Sequence, residues 1–169
     1  MTIRDIITYP DPFLREPTHK VEVIDDEIQR LIEDMSETMY AEPGVGLAAN
    51  QVGSDHSVLL YDVSPREEGP NPTALINPEI VEKEGSQLSE NEGCLSVPDF
   101  RADVKRYAQI RVRALDRNGE PLDFRTDGFE SIVLQHEIDH LRGILFIDRI
   151  SALKRQLYKR RRKKELRQV

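Results

Sequence analysis

The 169-residue chain contains a single cysteine, Cys94, so no internal disulfide can form. This excludes stapled secreted scaffolds and fits a reducing compartment, where a thiol is free to act as ligand or nucleophile. No stretch approaches the ~18 consecutive apolar residues of a membrane span. The opening "MTIRDIITYPDPFL" has no basic segment followed by an apolar run, so no secretory signal is expected. Internal repeats and domain-sized linkers are missing as well. These absences predict one soluble, cytoplasmic domain, long enough to bury about 70% of the surface its unfolded chain exposes.

Positive charge is scarce over most of the chain and concentrated at its end. Net charge is −7. Residues 154–169 carry nine Lys or Arg against one acid, Glu165, whereas the preceding 153 residues carry 15 basic and 30 acidic side chains. The pattern is an acidic globule with a cationic arm.

The segment "DDEIQRLIEDMSETMYAEPG" reads as a helix. Asp25 or Asp26 caps it, Ile28, Leu31, Ile32, Met35 and Met39 share a face, and Pro43-Gly44 stops it. "SVLLYDV", "TALINPEIVEKEG", "KRYAQIRVRALD" and "PLDFRT" read as strands, with "RNGE" as a hairpin turn. "GFESIVLQHEIDHLRG" returns to helical period, placing Phe129, Ile132, Val133, His136 and His140 on one inward stripe, with Gly143 past its end. "ILFIDRI" is strand-like, and Ser151 caps a last, basic helix. The fold class is α+β, with mostly antiparallel β-sheets around a central HExxH helix, an N-terminal helix and a basic C-terminal helix.

In "HEIDH" two histidines four apart flank Glu137, the spacing by which one helix face offers two nitrogens to a metal. Burying two imidazoles and a carboxylate without partners costs several kcal/mol, a cost that a bound cation removes. A catalytic site needs a third protein ligand and an open position for water. His19 and His56 sit in polar, turn-like surroundings and read as exposed. Downstream, "LRGILFID" offers only Asp148, a departure from metzincin spacing. Cys94 in "ENEGCLSVP" is therefore the favoured third donor, although a lone cysteine is ordinarily a small buried hydrophobe.

Three segments, "GVGLAANQ" (44–51), "EGCLS" (92–96) and "HEIDH" (136–140), resemble the three motifs of the peptide deformylase family, in order and across nearly the whole chain. The proline in "CLSVP" and the basic terminal helix are similar to the form common in Gram-negative bacteria. The resemblance implies a metal-dependent hydrolase that removes the formyl group from N-formylmethionyl nascent peptides. It implies Cys94, His136 and His140 as ligands of one divalent ion, Fe²⁺ in the cell, with Zn²⁺, Ni²⁺ or Co²⁺ able to substitute. Glu137 would be general base and acid, and the Gln51 amide and Leu95 backbone N–H would face the oxyanion. Val45 and Gly93 would pair with an extended substrate backbone, and Gly46 would permit its close approach. Val45, Phe129, Ile132 and Val133 would form the methionine pocket. Asp139 is either an exposed helix residue or a partner that orients the site, with Arg106 as counter-charge. Arg101 is a further peptide contact to test.

Residues 1–150 would then form the catalytic domain and 151–169 a basic helix. The resemblance implies ribosome docking near the tunnel exit through Arg160, Arg161, Arg162, Lys163 and Lys164, with no DNA and no membrane as partner. The alternative to ribosome docking for a helix polar all round is a solvated or frayed terminus. Two rival readings are a zinc-dependent endopeptidase and a non-catalytic RNA-binding protein. Neither accounts for all three motifs.

Overall fold

The computed structural model describes residues 2–168. Met1 and Val169, the outer ends of the two expected spans, lie outside the described residues. Helix α1 (Asp26–Ala41) starts where the Asp25 carboxylate accepts the Ile28 N–H at 3.1 Å. Ile28, Leu31, Ile32, Met35 and Met39 are all buried, as their spacing requires.

Five antiparallel strands form the main sheet in the order β1-β2-β3-β6-β7. These are β1 (Gly46–Ala48), β2 (Val58–Tyr61), β3 (Thr73–Glu84), β6 (Gln109–Leu115) and β7 (Pro121–Asp127). Alternation along β2 explains the layering. Val58 and Leu60 pack in the core with α1, while Leu59 and Tyr61 pack with Val133, Leu134, Ile138 and Leu141 of α2 (Gly128–Leu141). The sheet thus has one helix on each face. "RNGE" makes the β6–β7 hairpin, where the Asp116 carboxylate accepts the Asn118 and Glu120 N–H groups.

A two-stranded sheet, β4 (Gln87–Cys94) with β5 (Val97–Arg106), had no counterpart in the strand pattern. "KRYAQIRVRALD" is not one strand. Its first residues end β5, and the chain then turns at Tyr107-Ala108 into β6 of the other sheet. Gln135 of α2 holds that turn, accepting the Tyr107 N–H and donating to its carbonyl, each at 2.9 Å. "ILFIDRI" is not a strand either. Leu145, Phe146 and Ile147 are buried consecutively, which a two-residue period cannot achieve, and Phe146–Arg149 forms a 3₁₀ turn. Asp148 accepts the Leu145 N–H and pairs with Arg15, and so is occupied away from the metal cluster.

The basic helix α3 (Ala152–Arg167) forms as expected, capped by Ser151. It is anchored rather than frayed. Tyr158 is 2% exposed in a third core with Leu14, Val104 and Phe146, stacked on Phe100. Arg162 donates to the Tyr9 carbonyl at 2.8 Å, and Arg161 donates to that of Asp99 at 2.5 Å. Arg160, Lys163 and Lys164 have no side-chain partner among the described residues. Aromatic area and two guanidinium stems fix a helix whose charge alone argued for solvent.

Candidate metal centre

The histidine helix is enclosed on nearly every side: Ser131 and all residues from Val133 to Leu141 are buried. This corrects the one-stripe reading, as does Phe129, which is 57% exposed at the helix start. A helix roofed by the main sheet and flanked by the β4–β5 hairpin has no solvent face over its last turns. Gly143 follows it with φ 78°, and a Cβ there would meet the Arg15 carbonyl oxygen at 2.3 Å.

Among the described residues, Cys94, His136 and His140 are the one group of three or more metal-ligating side chains that converge, with their ligand atoms within 4.8 Å of one another. His140 Nε2 lies 3.2 Å from Cys94 Sγ and 3.2 Å from His136 Nε2. Donors around a tetrahedral ion with bonds of 2.0–2.3 Å stand about 3.3–3.6 Å apart, close to these two sides, and the third side, from Cys94 to His136, is within 4.8 Å. His19 and His56 instead bridge each other and stay outside the cluster.

Glu92 explains how His136 is aimed. A register shift between Ser89 and Glu92, with Asn91 at φ 56°, turns the Glu92 carboxylate inward. It meets His136 Nδ1 at 2.6 Å, which commits that proton and leaves the Nε2 lone pair facing the cluster. Arg106, 4% exposed, binds both Glu92 oxygens and reaches Asp139 at 2.9 Å; Arg149 grips Asp139 at 2.6 and 2.8 Å. Asp139 is therefore buried rather than an exposed helix residue, and Arg106 is its counter-charge. Burial raises the Glu92 carboxyl, but hydrogen bonds from His136 and Arg106 outweigh it and hold the pKa at about 2.

Burial lowers the basicity of both imidazoles. For His140 it wins, assisted by the charge of His136, and the pKa falls well below 6.5. For His136, hydrogen bonds with Cys94 and Glu92 overcome burial and raise the pKa well above 6.5. The cluster thus calls for positive charge beside Cys94 and Glu92, a need that a divalent cation meets with release of the proton. Burial is the main cause pushing Glu137 up to about 7, opposed by His136 and supported by Glu92. Its Oε2 is buried with no hydrogen-bond partner.

A cavity of about 460 Å³ opens onto these groups. Val45, Gly46, Gln51, Gly93, Leu95, Phe129, Ile132, Val133 and Glu137 all line it, as do Arg101, Cys94 and His136. His140 lies behind it. Gln51 is fixed by the Ala48 N–H, and its own amide donates to Ser96 Oγ at 3.0 Å and lies 3.7 Å from Cys94 Sγ. Glu92, Ser96 and Asn50 were not singled out from sequence. Asn50 donates to the His140 carbonyl at 2.5 Å, tying the glycine loop to the histidine helix. The need of a ligating His136 for a carboxylate on its second nitrogen was the one signal for Glu92.

A buried HExxH helix, a converging sulfur donor and an adjoining cavity are the marks of a metal-dependent hydrolase. The family model for polypeptide deformylase matches residues 3–156. Peptide deformylase of Desulfosudis oleivorans is 52% identical over 100% of this chain and 98% of its own length; that of Aquifex aeolicus is 49% identical over 92% of each. Crystal structures of peptide deformylase from Legionella pneumophila (42% identity, 98% and 96% covered) and from Ehrlichia chaffeensis with actinonin (38%, 98% and 98% covered) both superpose with TM-score 0.90. The chain belongs to the polypeptide deformylase family, metal-dependent hydrolases that remove N-formyl groups from nascent peptides.

Proposed function

We propose that Cys94, His136 and His140 hold one divalent ion, Fe²⁺ in the cell, and that Glu137 moves the proton during deformylation. The observation that carries this reading is the placement of Glu137. It is buried, its Oε2 is unpartnered, and it stands between the two histidines on the cavity wall. When bound, the ion polarises the formyl carbonyl and makes hydroxide available near neutrality. Glu137 accepts the proton of the attacking water and passes it to the leaving amine, which departs poorly unless protonated. Gln51 Nε2, now shared between Ser96 and Cys94, is positioned to turn its donor to the developing oxyanion together with the Leu95 N–H. Val45 and Gly93 pair with the substrate backbone beside Gly46. The exposed Phe129 and the neighbouring Ile132 and Val133 receive the methionine side chain.

The body through residue 150 supplies every cavity-lining residue, which supports reading 151–169 as accessory. Of the five residues expected to meet the ribosome, Arg160, Lys163 and Lys164 have no side-chain partner among the described residues and are free to meet ribosomal phosphates in the cytoplasm, whereas Arg161 and Arg162 anchor the helix. No helix among the described residues is long and apolar enough to cross a membrane.

The test is formate release from formyl-Met-Ala by anaerobically purified protein with parallel metal analysis. Glu137→Gln should keep one metal per chain and lose turnover by about 10³-fold or more. Near-wild-type turnover in that variant would overturn the assignment.

A further inference from the structure

We propose that Asn50 is a positioning residue that holds His140 through its backbone, supplying from outside the helix the support that His136 receives at its ring. This rests on the reading that Cys94, His136 and His140 hold the ion and that Gln51 faces the oxyanion.

The two histidines are supported differently. His136 is aimed at its ring, where Nδ1 meets the Glu92 carboxylate. His140 Nδ1 is buried and has no hydrogen-bond partner among the described residues. A ligating imidazole is ordinarily oriented by a bond to its second nitrogen; without one, its direction comes from packing and from the backbone that carries it. That backbone lies in the last turn of α2, where carbonyls run out of intrahelical donors. The His140 carbonyl accepts the Gly143 N–H at 3.0 Å and the Asn50 amide at 2.5 Å. The next carbonyl, that of Leu141, accepts the N–H and hydroxyl of Thr18 at 2.8 and 3.0 Å. Two outside side chains, Asn50 and Thr18, therefore fix the helix end.

Asn50 is itself held in place. It lies in the 3₁₀ turn Ala49–Val52, one residue before Gln51. The Ala49 carbonyl accepts the Ser54 N–H at 3.0 Å, and the Gln51 carbonyl accepts the Ile7 N–H at 2.8 Å. Among the described residues, the segment 44–53 makes no other hydrogen bond to α2. The Asn50 amide is thus the polar link that sets the Gln51 donor against the His140 ligand.

Stability alone does not account for an asparagine here. Its Oδ1 is buried with no partner, and rotating the amide would set that oxygen against the His140 carbonyl. A leucine has the same branched outline and no orphaned acceptor. The side chain keeps a costly oxygen for the sake of one donor, and that donor reaches a metal ligand.

The experiment loads wild type, Asn50→Leu and Asn50→Asp with Co²⁺. It measures affinity by chelator competition, the visible absorption of the bound ion, thermal melting without metal, and formyl-Met-Ala kinetics at saturating Co²⁺. Asn50→Asp keeps the shape and loses the donor, so it decides the question should Asn50→Leu fail to fold. Both variants should bind Co²⁺ about 10- to 100-fold more weakly, with a changed absorption spectrum. At saturating metal kcat should fall about tenfold while KM stays within about twofold, because the displaced groups act in the transition state. Wild-type affinity and spectrum in the folded variants overturn the proposal, whatever the melting temperature does. So does a raised KM with unchanged kcat, which assigns Asn50 to the cavity wall. Failure of wild type itself to bind Co²⁺ or release formate would instead overturn the reading beneath it.

Discussion

Gly46 and Glu137 stand so close that a Cβ added at Gly46 would lie 2.8 Å from Glu137 Oε1 and 2.9 Å from its Cγ. The glycine loop and the histidine helix therefore fix each other's approach, and the carboxylate stays where it is because residue 46 has no side chain. Gly46→Ala should fold and bind metal while kcat falls about 100-fold, the scale of a small misplacement of a reacting group. Steady-state kinetics with metal analysis decide it; unchanged kcat would mean that Glu137 tolerates displacement.

Arg106 neutralises two buried carboxylates, Glu92 and Asp139, of which Arg149 reaches only the second. Arg106→Met leaves Glu92 without a guanidinium, and should cost about 3–5 kcal/mol in urea unfolding. Metal affinity should weaken about 10- to 100-fold, because Glu92 no longer has a fixed position from which to hold His136. Metal affinity and activity equal to wild type would show that Arg106 plays no part in orienting the site.

Glu92 also predicts how the metal-free protein responds to acid. Its carboxyl is held at about 2 in the fold, below its ordinary 4.5. A depressed pKa contributes stability that is fully present above about 4.5 and is lost as pH falls toward 2. Thermal melts between those limits should therefore fall less steeply for Glu92→Gln than for wild type. Parallel slopes would remove Glu92 from the acid response.

The anchored α3 separates two roles that the tail sequence blends. Truncation after Ile150 removes Tyr158 from the third core, so the truncated enzyme should lose stability, and Tyr158→Ala alone should cost about 3 kcal/mol. Reversing Arg160, Lys163 and Lys164 to glutamate should leave melting and formyl-Met-Ala turnover unchanged while weakening salt-sensitive ribosome association. Equal ribosome binding by that triple variant would relieve the exposed cations of the role.

The sequence by itself determined the periodic and local features. The apolar face of α1, its Asp25 cap, the "RNGE" hairpin and the four-residue histidine spacing rest on backbone periods and on neighbours along the chain. The tertiary structure decided the features that come from distant segments. Glu92 turns inward through a bulge that no alternation in "SENEGC" announces, and Asp139 is buried because Arg106 and Arg149 arrive from elsewhere. "KRYAQIRVRALD" divides between two sheets because Gln135, on a helix 28 residues away, binds the turn at Tyr107. Tyr158 is pulled into a core by Phe100 although its own helix is charged all round. Local pattern reports what a segment can do with its own backbone; whether a polar or charged group is buried depends on a partner that only folding brings within reach.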